Sequence, residues 1–236
     1  MMATQPVDQL KQAAAEAAVA LIENGMVVGL GSGSTAAFAT DAIGRRVREG
    51  LRILGIPTSE KTADQARKLN IPLATLGEHP QVDLAIDGAD EAEVGSLDLI
   101  KGGGGNQLRE KIVEAASARF IVIVDSGKVV DRLGLRYPVP VEVIRFGWEV
   151  TFRRLESLGI SPKRRMHPNG EVFLTDENNY ILDCACGAIP NARKLQADID
   201  GIVGVVEHGL FIGMAERIVV AGEDGVTTLF PAHEPA

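Results

Sequence analysis

The chain has 236 residues, 45% of them hydrophobic and 24% charged, with a formal net charge of −8. That length and composition suit a globular protein with a sizeable core, in one large domain or two smaller ones. The acidic excess argues against nucleic acid and anionic membranes as partners, so an anionic ligand would need locally gathered lysines or backbone N–H groups. No apolar run approaches the length of a membrane span. The start of the chain, with Asp8 and Glu16, lacks the basic region of a secretory signal, and a cytoplasmic compartment is expected. Cys184 and Cys186 would share one face of a strand as buried reduced thiols. His79, His167, His208 and His233 are scattered, and no metal is expected.

Asp8 to Asn24 reads as an alanine-rich helix with Leu10, Ala14, Ala17, Ala18, Leu21 and Ile22 on one face. Asn24-Gly25 stops it. Met26 to Leu30 reads as a short buried strand, followed by Gly31-Ser32-Gly33-Ser34-Thr35 and a helix from about Ala36 to Arg48. Strand, glycine-and-hydroxyl loop and helix together present N–H groups and the positive end of a helix dipole to a phosphate. Gly31, Gly33 and Ala36 also match the dinucleotide fingerprint G-x-G-x-x-G/A. The next strand, Leu51 to Ile56, ends in Pro57-Thr58-Ser59, with no acid to take a ribose diol. The hydroxyls of Ser32, Ser34 and Thr35 suit a single phosphate better; the structural alternative is a tight turn.

Thr62 to Leu69 reads as a helix, Ile71 to Leu76 as a strand, and Val82 to Ile86 as a buried strand ending in Asp87-Gly88-Ala89-Asp90-Glu91. Ligands of open α/β sheets sit outside the carboxyl ends of the strands. The acidic cluster is therefore placed for chemistry or metal binding, or it caps a helix start. Next, Lys101 precedes the glycine run 102–105, and Asn106 is a candidate helix cap. Glycine loses the most backbone entropy on folding. A run of it belongs where backbone passes close to something, or where N–H groups point inward together. Glu110 falls near the start of a helix expected to reach about Arg119. Phe120 to Asp125 is the next strand, and Ser126-Gly127-Lys128 puts a second lysine at a carboxyl end, or simply exposes it in a turn.

Gly31-Ser32-Gly33-Ser34-Thr35, Asp87-Gly88-Ala89-Asp90-Glu91, Lys101-Gly102-Gly103-Gly104, Arg109-Glu110-Lys111 and Asp125-Ser126-Gly127-Lys128 resemble the motif set of the ribose-5-phosphate isomerase A family. The resemblance runs in order from about Asp8 to near Val226. It departs at Ser32, where threonine is frequent, and in the fourth glycine after Lys101. It implies an α/β fold: a Rossmann-like open sheet with helices on both faces, plus a smaller α+β (ferredoxin-like) domain. The catalytic unit would span residues 1–137, completed by 207–236, and the small unit 138–206.

Pro138-Val139-Pro140 marks the candidate boundary. Beyond it, Val141 to Ile144, Val172 to Thr175 and Tyr180 to Cys184 read as strands, and Trp148 to Leu158 and Asn191 to Ile199 as helices. Lys163-Arg164-Arg165 reads as a solvated face, with a subunit contact as the alternative. Val203 to Met214 and Ile218 to Val220 are strand-like, and the resemblance implies that they return to the first sheet. The tail from Phe230 to Ala236 carries no readable motif.

The activity the resemblance implies is the reversible aldose–ketose isomerisation of D-ribose 5-phosphate and D-ribulose 5-phosphate. It would proceed through an enediolate, in the non-oxidative branch of the pentose phosphate pathway. Such chemistry needs a base for a carbon-bound proton, an electrophile for the developing oxyanion and a group to move hydroxyl protons. No net electrons leave, so no cofactor is expected. By resemblance, Glu110 is the base, and Lys101 with the N–H groups of Gly102, Gly103 and Gly104 stabilises the oxyanion. Asp87, paired with Lys128, would shuttle a hydroxyl proton and assist ring opening. Gly88, Ala89 and Asp90 would meet the sugar hydroxyls; Ser32, Gly33, Ser34, Thr35 and Lys11 would hold the phosphate. A homo-oligomer is expected, a dimer or else a tetramer. A sugar-phosphate sensor would carry a DNA-binding segment, and only about 25 residues precede the first strand. A nicotinamide dehydrogenase would need the missing strand-end acid.

Overall fold

A computed structural model describes residues 7–232; residues 1–6 and 233–236, His233 among them, lie outside. The alanine-rich start forms α1 (Val7–Val19), shorter than expected because Leu21 and Ile22 close the last turn with bonds back to Ala18 and Val19. Its buried face uses Ala15 and Val19, while Ala17 faces solvent. There follow β1 (Val27–Leu30), α2 (Ser34–Arg48), β2 (Leu54–Pro57), α3 (Glu60–Lys68) and β3 (Leu84–Asp87). Short strands β4 (Glu91–Glu93) and β5 (Leu99–Ile100) lead to α4 (Gln107–Ala115) and β6 (Phe120–Asp125). A 3₁₀ turn at Ser126–Lys128 precedes β7 (Val129–Val130) and β8 (Val139–Val143). The chain continues through α5 (Trp148–Glu156), β9 (Ser161–Arg164), β10 (Tyr180–Ala185) and α6 (Ala192–Asp200). It ends with β11 (Val205–His208), β12 (Leu210–Phe211), β13 (Arg217–Gly222) and β14 (Gly225–Leu229).

The main sheet has six strands in the order β14-β13-β6-β3-β1-β2, parallel throughout except for the β13–β14 hairpin. Strand order therefore reverses between β1 and β3, and a crevice opens above their carboxyl ends. On one face, Leu10, Ala14 and Ala18 of α1 and Ala39 and Ile43 of α2 pack against Val28, Leu30, Ile121 and Ile123. The opposite face is covered by α4 and by a small sheet, β12-β5-β4-β7, through Ala92, Leu99 and Phe211.

A third sheet, β11-β8-β10-β9, is antiparallel throughout. With α5 and α6 its connectivity is β-α-β-β-α-β, the ferredoxin-like pattern. Val139, Val141, Leu155, Leu182, Cys184 and Ile199 form its core, and Ile100 and Leu210 continue that core into the small sheet. Cys184 is buried and Cys186 half-buried, both as free thiols, and burial pushes the Cys186 thiol up to about 11.

Several expected elements differ. The strand expected from Val141 begins at Val139 as β8, so the candidate boundary Pro138-Val139-Pro140 runs into it, with Pro140 near the strand's start, where proline is tolerated. Residues 71–76 make only a bridge from Leu73 to Gly55, because Pro72 brings no N–H to a ladder. Residues 172–175 likewise make one bridge, Val172 to Met166, before turning. Helix α4 stops at Ala115, and Ala118 N–H turns to Val82 O instead. The strands absent from the expectation, β4, β5, β7, β9 and β14, are short or largely exposed and lack a readable period, while the expected run Val203 to Met214 divides at Gly209 into β11 and β12. Among the described residues no helix is long and apolar enough to cross a membrane.

Candidate active site

Gly31 leaves β1 directly against the end of β3. A Cβ there would come within 2.3 Å of the Asp87 carboxyl group, so only glycine admits this approach. Asp87 Oδ1 accepts from Ser32 N–H at 3.0 Å and Gly88 N–H at 2.7 Å. Asp87 Oδ2 lies 2.8 Å from Lys101 Nζ. That ammonium donates to Gly88 O at 2.7 Å and stands 3.3 Å from both Glu110 Oε2 and Glu114 Oε1. Lys101 is 2% exposed, and its Nζ lies 5.3 Å from the centre of the Phe211 ring. Burial alone would lower its pKa; Asp87, Glu110 and Glu114 outweigh that and raise it well above the usual lysine value.

The glycine run is shaped by its surroundings. Gly103 N–H donates to Asp90 Oδ2 at 2.7 Å, and a Cβ on Gly103 would strike the same carboxylate. Gly105, at φ 85°, passes within 2.5 Å of Phe173 as measured from a Cβ built there. Glu110, in the first turn of α4, is 5% exposed and lines the cleft. The helix N-terminus and Lys101 favour its ionised form. Burial overrides them and, with Asp87 and Asp90 adding to the rise against Lys101, pushes the Glu110 carboxyl up to about 8.

At the other end of the cleft, α2 begins at Ser34 without a side-chain cap, so its first N–H groups are not taken up by one. Ser34 and Thr35 line the cleft, and Lys11 Nζ donates to Ser34 Oγ at 3.1 Å. Ser32 also lines it, but its hydroxyl meets Thr58 Oγ1 at 2.7 Å and its N–H serves Asp87. These contacts also fix the shape of the loop. The cleft is also lined by Gly33, Gly88, Ala89, Asp90, Gly102, Gly103, Gly104 and Lys128.

The expected pairing of Lys128 with Asp87 is corrected. Lys128 Nζ donates to Tyr137 Oη at 2.8 Å, and Asp87 takes Lys101 as its cation. The reason lies in Glu91, which belongs to the expected acidic cluster but turns away from the cleft. Its buried carboxylate accepts from the N–H groups of Gly134, Arg136 and Tyr137 at 2.6, 2.5 and 2.8 Å. That holds the loop carrying Tyr137 beside Lys128.

Two residues of the site were not anticipated. Glu114 follows Glu110 by one helical turn, and the i, i+4 spacing that places both on one face was the available signal. Arg165 was taken with Lys163 and Arg164 as a solvated face. Its guanidinium instead donates to Gly102 O at 3.0 Å and Gly103 O at 3.2 Å, and to both Asp183 carboxylate oxygens. The ferredoxin-like unit thus grips the glycine run from behind. Arg165→Ala is expected to lower kcat/KM by about 10–10²-fold, the scale of a positioning error near 1 Å. Steady-state kinetics beside an unchanged circular dichroism spectrum would check this, and unaltered kinetics would deny the grip any role.

Away from the cleft, ligand atoms of Asp200, Glu207 and His208 come within 4.8 Å of one another. Lys111 Nζ already sits 2.5 Å from Glu207 Oε1 and 3.3 Å from His208 Nδ1, where a metal cation would compete with an ammonium.

The family model for ribose 5-phosphate isomerase A (phosphoriboisomerase A) matches residues 54–225. Ribose-5-phosphate isomerase A of Synechococcus sp. (strain JA-3-3Ab) is 60% identical over 223 residues, which is 94% of this chain and 97% of that one. The structure of ribose 5-phosphate isomerase A from Methanocaldococcus jannaschii superposes with a TM-score of 0.92 at 42% identity, over 95% of this chain and all of that one. A D-ribose-5-phosphate isomerase solved in complex with phospho-erythronic acid gives a TM-score of 0.92 at 36% identity, over 96% of this chain and 100% of that one. Likeness at this level runs through the sheets and through the loops that gather Lys101 and its carboxylates, and on it the chain belongs to the ribose-5-phosphate isomerase A family.

Proposed function

We propose that Glu110 and Lys101 carry out the family's aldose–ketose isomerisation in this cleft, on D-ribose 5-phosphate and D-ribulose 5-phosphate. The observation that carries this reading is the single buried ammonium between Asp87 and Glu110, at the floor of a cleft whose far end is a helix N-terminus. With the open-chain aldose bound, Glu110 takes the proton from C2, and the electron pair moves toward the carbonyl oxygen on C1. Lys101 and the N–H groups of Gly102 and Gly104 stabilise that oxygen as it becomes anionic, while the N–H of Gly103, expected to share the task, is held by Asp90. Asp87 moves a proton from the C2 hydroxyl to the C1 oxygen, and Glu110 returns its proton to C1. Atoms and electrons balance within the sugar. Asp90 and the adjoining backbone meet the sugar hydroxyls, and Lys128 guards the cleft wall.

The phosphate goes to the N-terminus of α2, with the Ser34 and Thr35 hydroxyls and Lys11 as further donors. A relative was solved in complex with phospho-erythronic acid, a phosphorylated acid. Fixing both ends of the sugar orients the reacting carbons, which is worth up to ~7–11 kcal/mol in the best cases. After exhaustive chelation and with no cofactor added, the chain should still form ketose from ribose 5-phosphate. Loss of activity restored only by a divalent cation would replace Lys101 with a metal as electrophile. In the same assay, Ser34→Ala with Thr35→Ala should lower kcat/KM for the phosphorylated sugar by at least ~10-fold, because hydrogen bonds to a charged group are removed. An unchanged preference over free ribose would move the phosphate elsewhere.

The same reading places the chain in the non-oxidative pentose phosphate branch and in the cytoplasm. Its two units would be residues 138–206 and the remainder; the pairing of β13 with β6 supports this, although β11 carries the small sheet on to His208. Phe146 and Val203, 91% and 93% exposed, support a homo-oligomer, most simply a two-fold dimer. Sedimentation at the 25.1 kDa of a single chain would count against it.

A further inference from the structure

The reaction just described uses two of the three carboxyl groups around Lys101 and leaves Glu114 without a task. Glu114 projects from α4, is 3% exposed, does not line the cleft, and approaches Lys101 Nζ to 3.3 Å. Among the described residues, Asp87 Oδ2 and Glu114 Oε1 meet only the Lys101 ammonium, and Glu114 Oε2 has no hydrogen-bond partner. Ionised carboxylates only accept hydrogen bonds. Three of them around one ammonium would leave a net charge of −2 in a space walled by Phe120 and Phe211. Burial of uncompensated charge on that scale is costly.

The charged groups facing Glu114 are Asp87 from β3, Lys101 from the loop after β5, and Glu110 and Lys111 from its own helix. Lys111 offers little relief, being held by Glu207 at 2.5 Å and by His208 O at 2.7 Å. A proton on Glu114 removes one negative charge and supplies the one donor that the cluster lacks.

We propose that Glu114 is a positioning residue, protonated throughout the catalytic pH range, whose carboxyl group donates to Asp87 and so fixes Asp87 and Lys101 while Glu110 alone titrates as the base. The inference rests on the roles given above to Asp87, Lys101 and Glu110. Burial pushes the Glu114 carboxyl well above its ordinary range; Lys101 draws it down, and the neighbouring charges of Asp87 and Glu110 raise it further. With Glu114 neutral, Asp87 and Glu110 share the ammonium, and the cluster carries −1 rather than −2.

The test compares Glu114→Leu, Glu114→Gln and the parent protein. Glu114→Leu removes the donor and should lower kcat by about 10–10²-fold, with KM moving less than ~3-fold because Glu114 does not touch the substrate. Glu114→Gln keeps a neutral donor, so it should restore kcat to within about 3-fold and leave the acid limb of kcat/KM in place. If Glu114 were ionised, the neutral amide would strip one negative charge from beside Glu110 and shift that limb down by about a unit, a tenfold change in proton affinity. Such a shift, or a Glu114→Gln variant as slow as Glu114→Leu, overturns the proposal, as does Glu114→Leu with parental kinetics. A further readout does not depend on turnover or on the leucine variant folding. The difference infrared spectrum of parent minus Glu114→Gln at neutral pH should show a protonated-carboxyl C=O band, and a carboxylate band in its place refutes the assignment. Failure of Glu110 as the base would leave this band untouched, so the two ideas fail separately.

Discussion

Glu110→Gln is expected to cut turnover by at least ~10²-fold while the substrate still binds. The amide keeps the shape and most of the hydrogen-bonding capacity but has no basic oxygen. Glu110 lines the cleft 3.3 Å from Lys101, where the oxygen next to the reacting carbon would be stabilised. Burial drives its carboxyl up to about 8, which makes it a stronger base than an exposed glutamate. The sign of the pH dependence follows. The base must be ionised, so kcat/KM should rise with pH as the free enzyme passes through about 8, and that limb should vanish in Glu110→Gln. Wash-in of solvent deuterium at the transferring carbon should fall in parallel. Near-normal turnover and exchange would place the base elsewhere, with Asp87 as the first candidate.

Lys101→Met should be as damaging to chemistry and more damaging to the fold. It removes the only cation within 3.3 Å of Asp87, Glu110 and Glu114 among the described contacts, and with it the electrophile. Losing one preorganised oxyanion donor costs about 10²–10³-fold in kcat. Leaving buried carboxylates uncompensated costs about 3–5 kcal/mol of stability. That second loss has a predictable pH dependence. A carboxyl whose folded pKa is raised, as that of Glu110 is from 4.5 to about 8, binds more protons folded than unfolded between those values. Stability is therefore greatest below 4.5 from this source and falls as pH rises to about 8. Without Lys101 the fall should steepen. Urea unfolding of parent and variant at pH 5 and at pH 8 would show it, and an equal loss at both would mean that removing Lys101 leaves the protonation of the folded carboxyls unchanged.

The site's loops were legible because their requirements are local. Glycine at 31 and through 102–105, hydroxyls ahead of α2 and an acidic strand end after β3 are signals carried by neighbouring residues, and each marks a strand's carboxyl end. The buried strand Phe120–Asp125 was read to the residue, since six apolar-to-acidic positions with a following turn leave little ambiguity. Short strands such as β5 and β7, two residues each, had no period to read.

The sequence by itself determined the fold class, the order of the loops above the sheet and the identity of Glu110, Lys101 and Asp87 as neighbours in one cleft. Only the tertiary structure decided which charge meets which. Lys101, not Lys128, faces Asp87, because Glu91 holds the loop that gives Lys128 its tyrosine. Glu114 joins the cluster, with only its i, i+4 spacing from Glu110 to signal it, and Arg165 leaves the solvent although its local sequence is that of an ordinary surface charge. The raised pKa of Glu110 likewise depends on burial created by packing. Desolvation and ion pairing depend on distances between segments far apart in the chain, and those distances exist only once the sheets have packed.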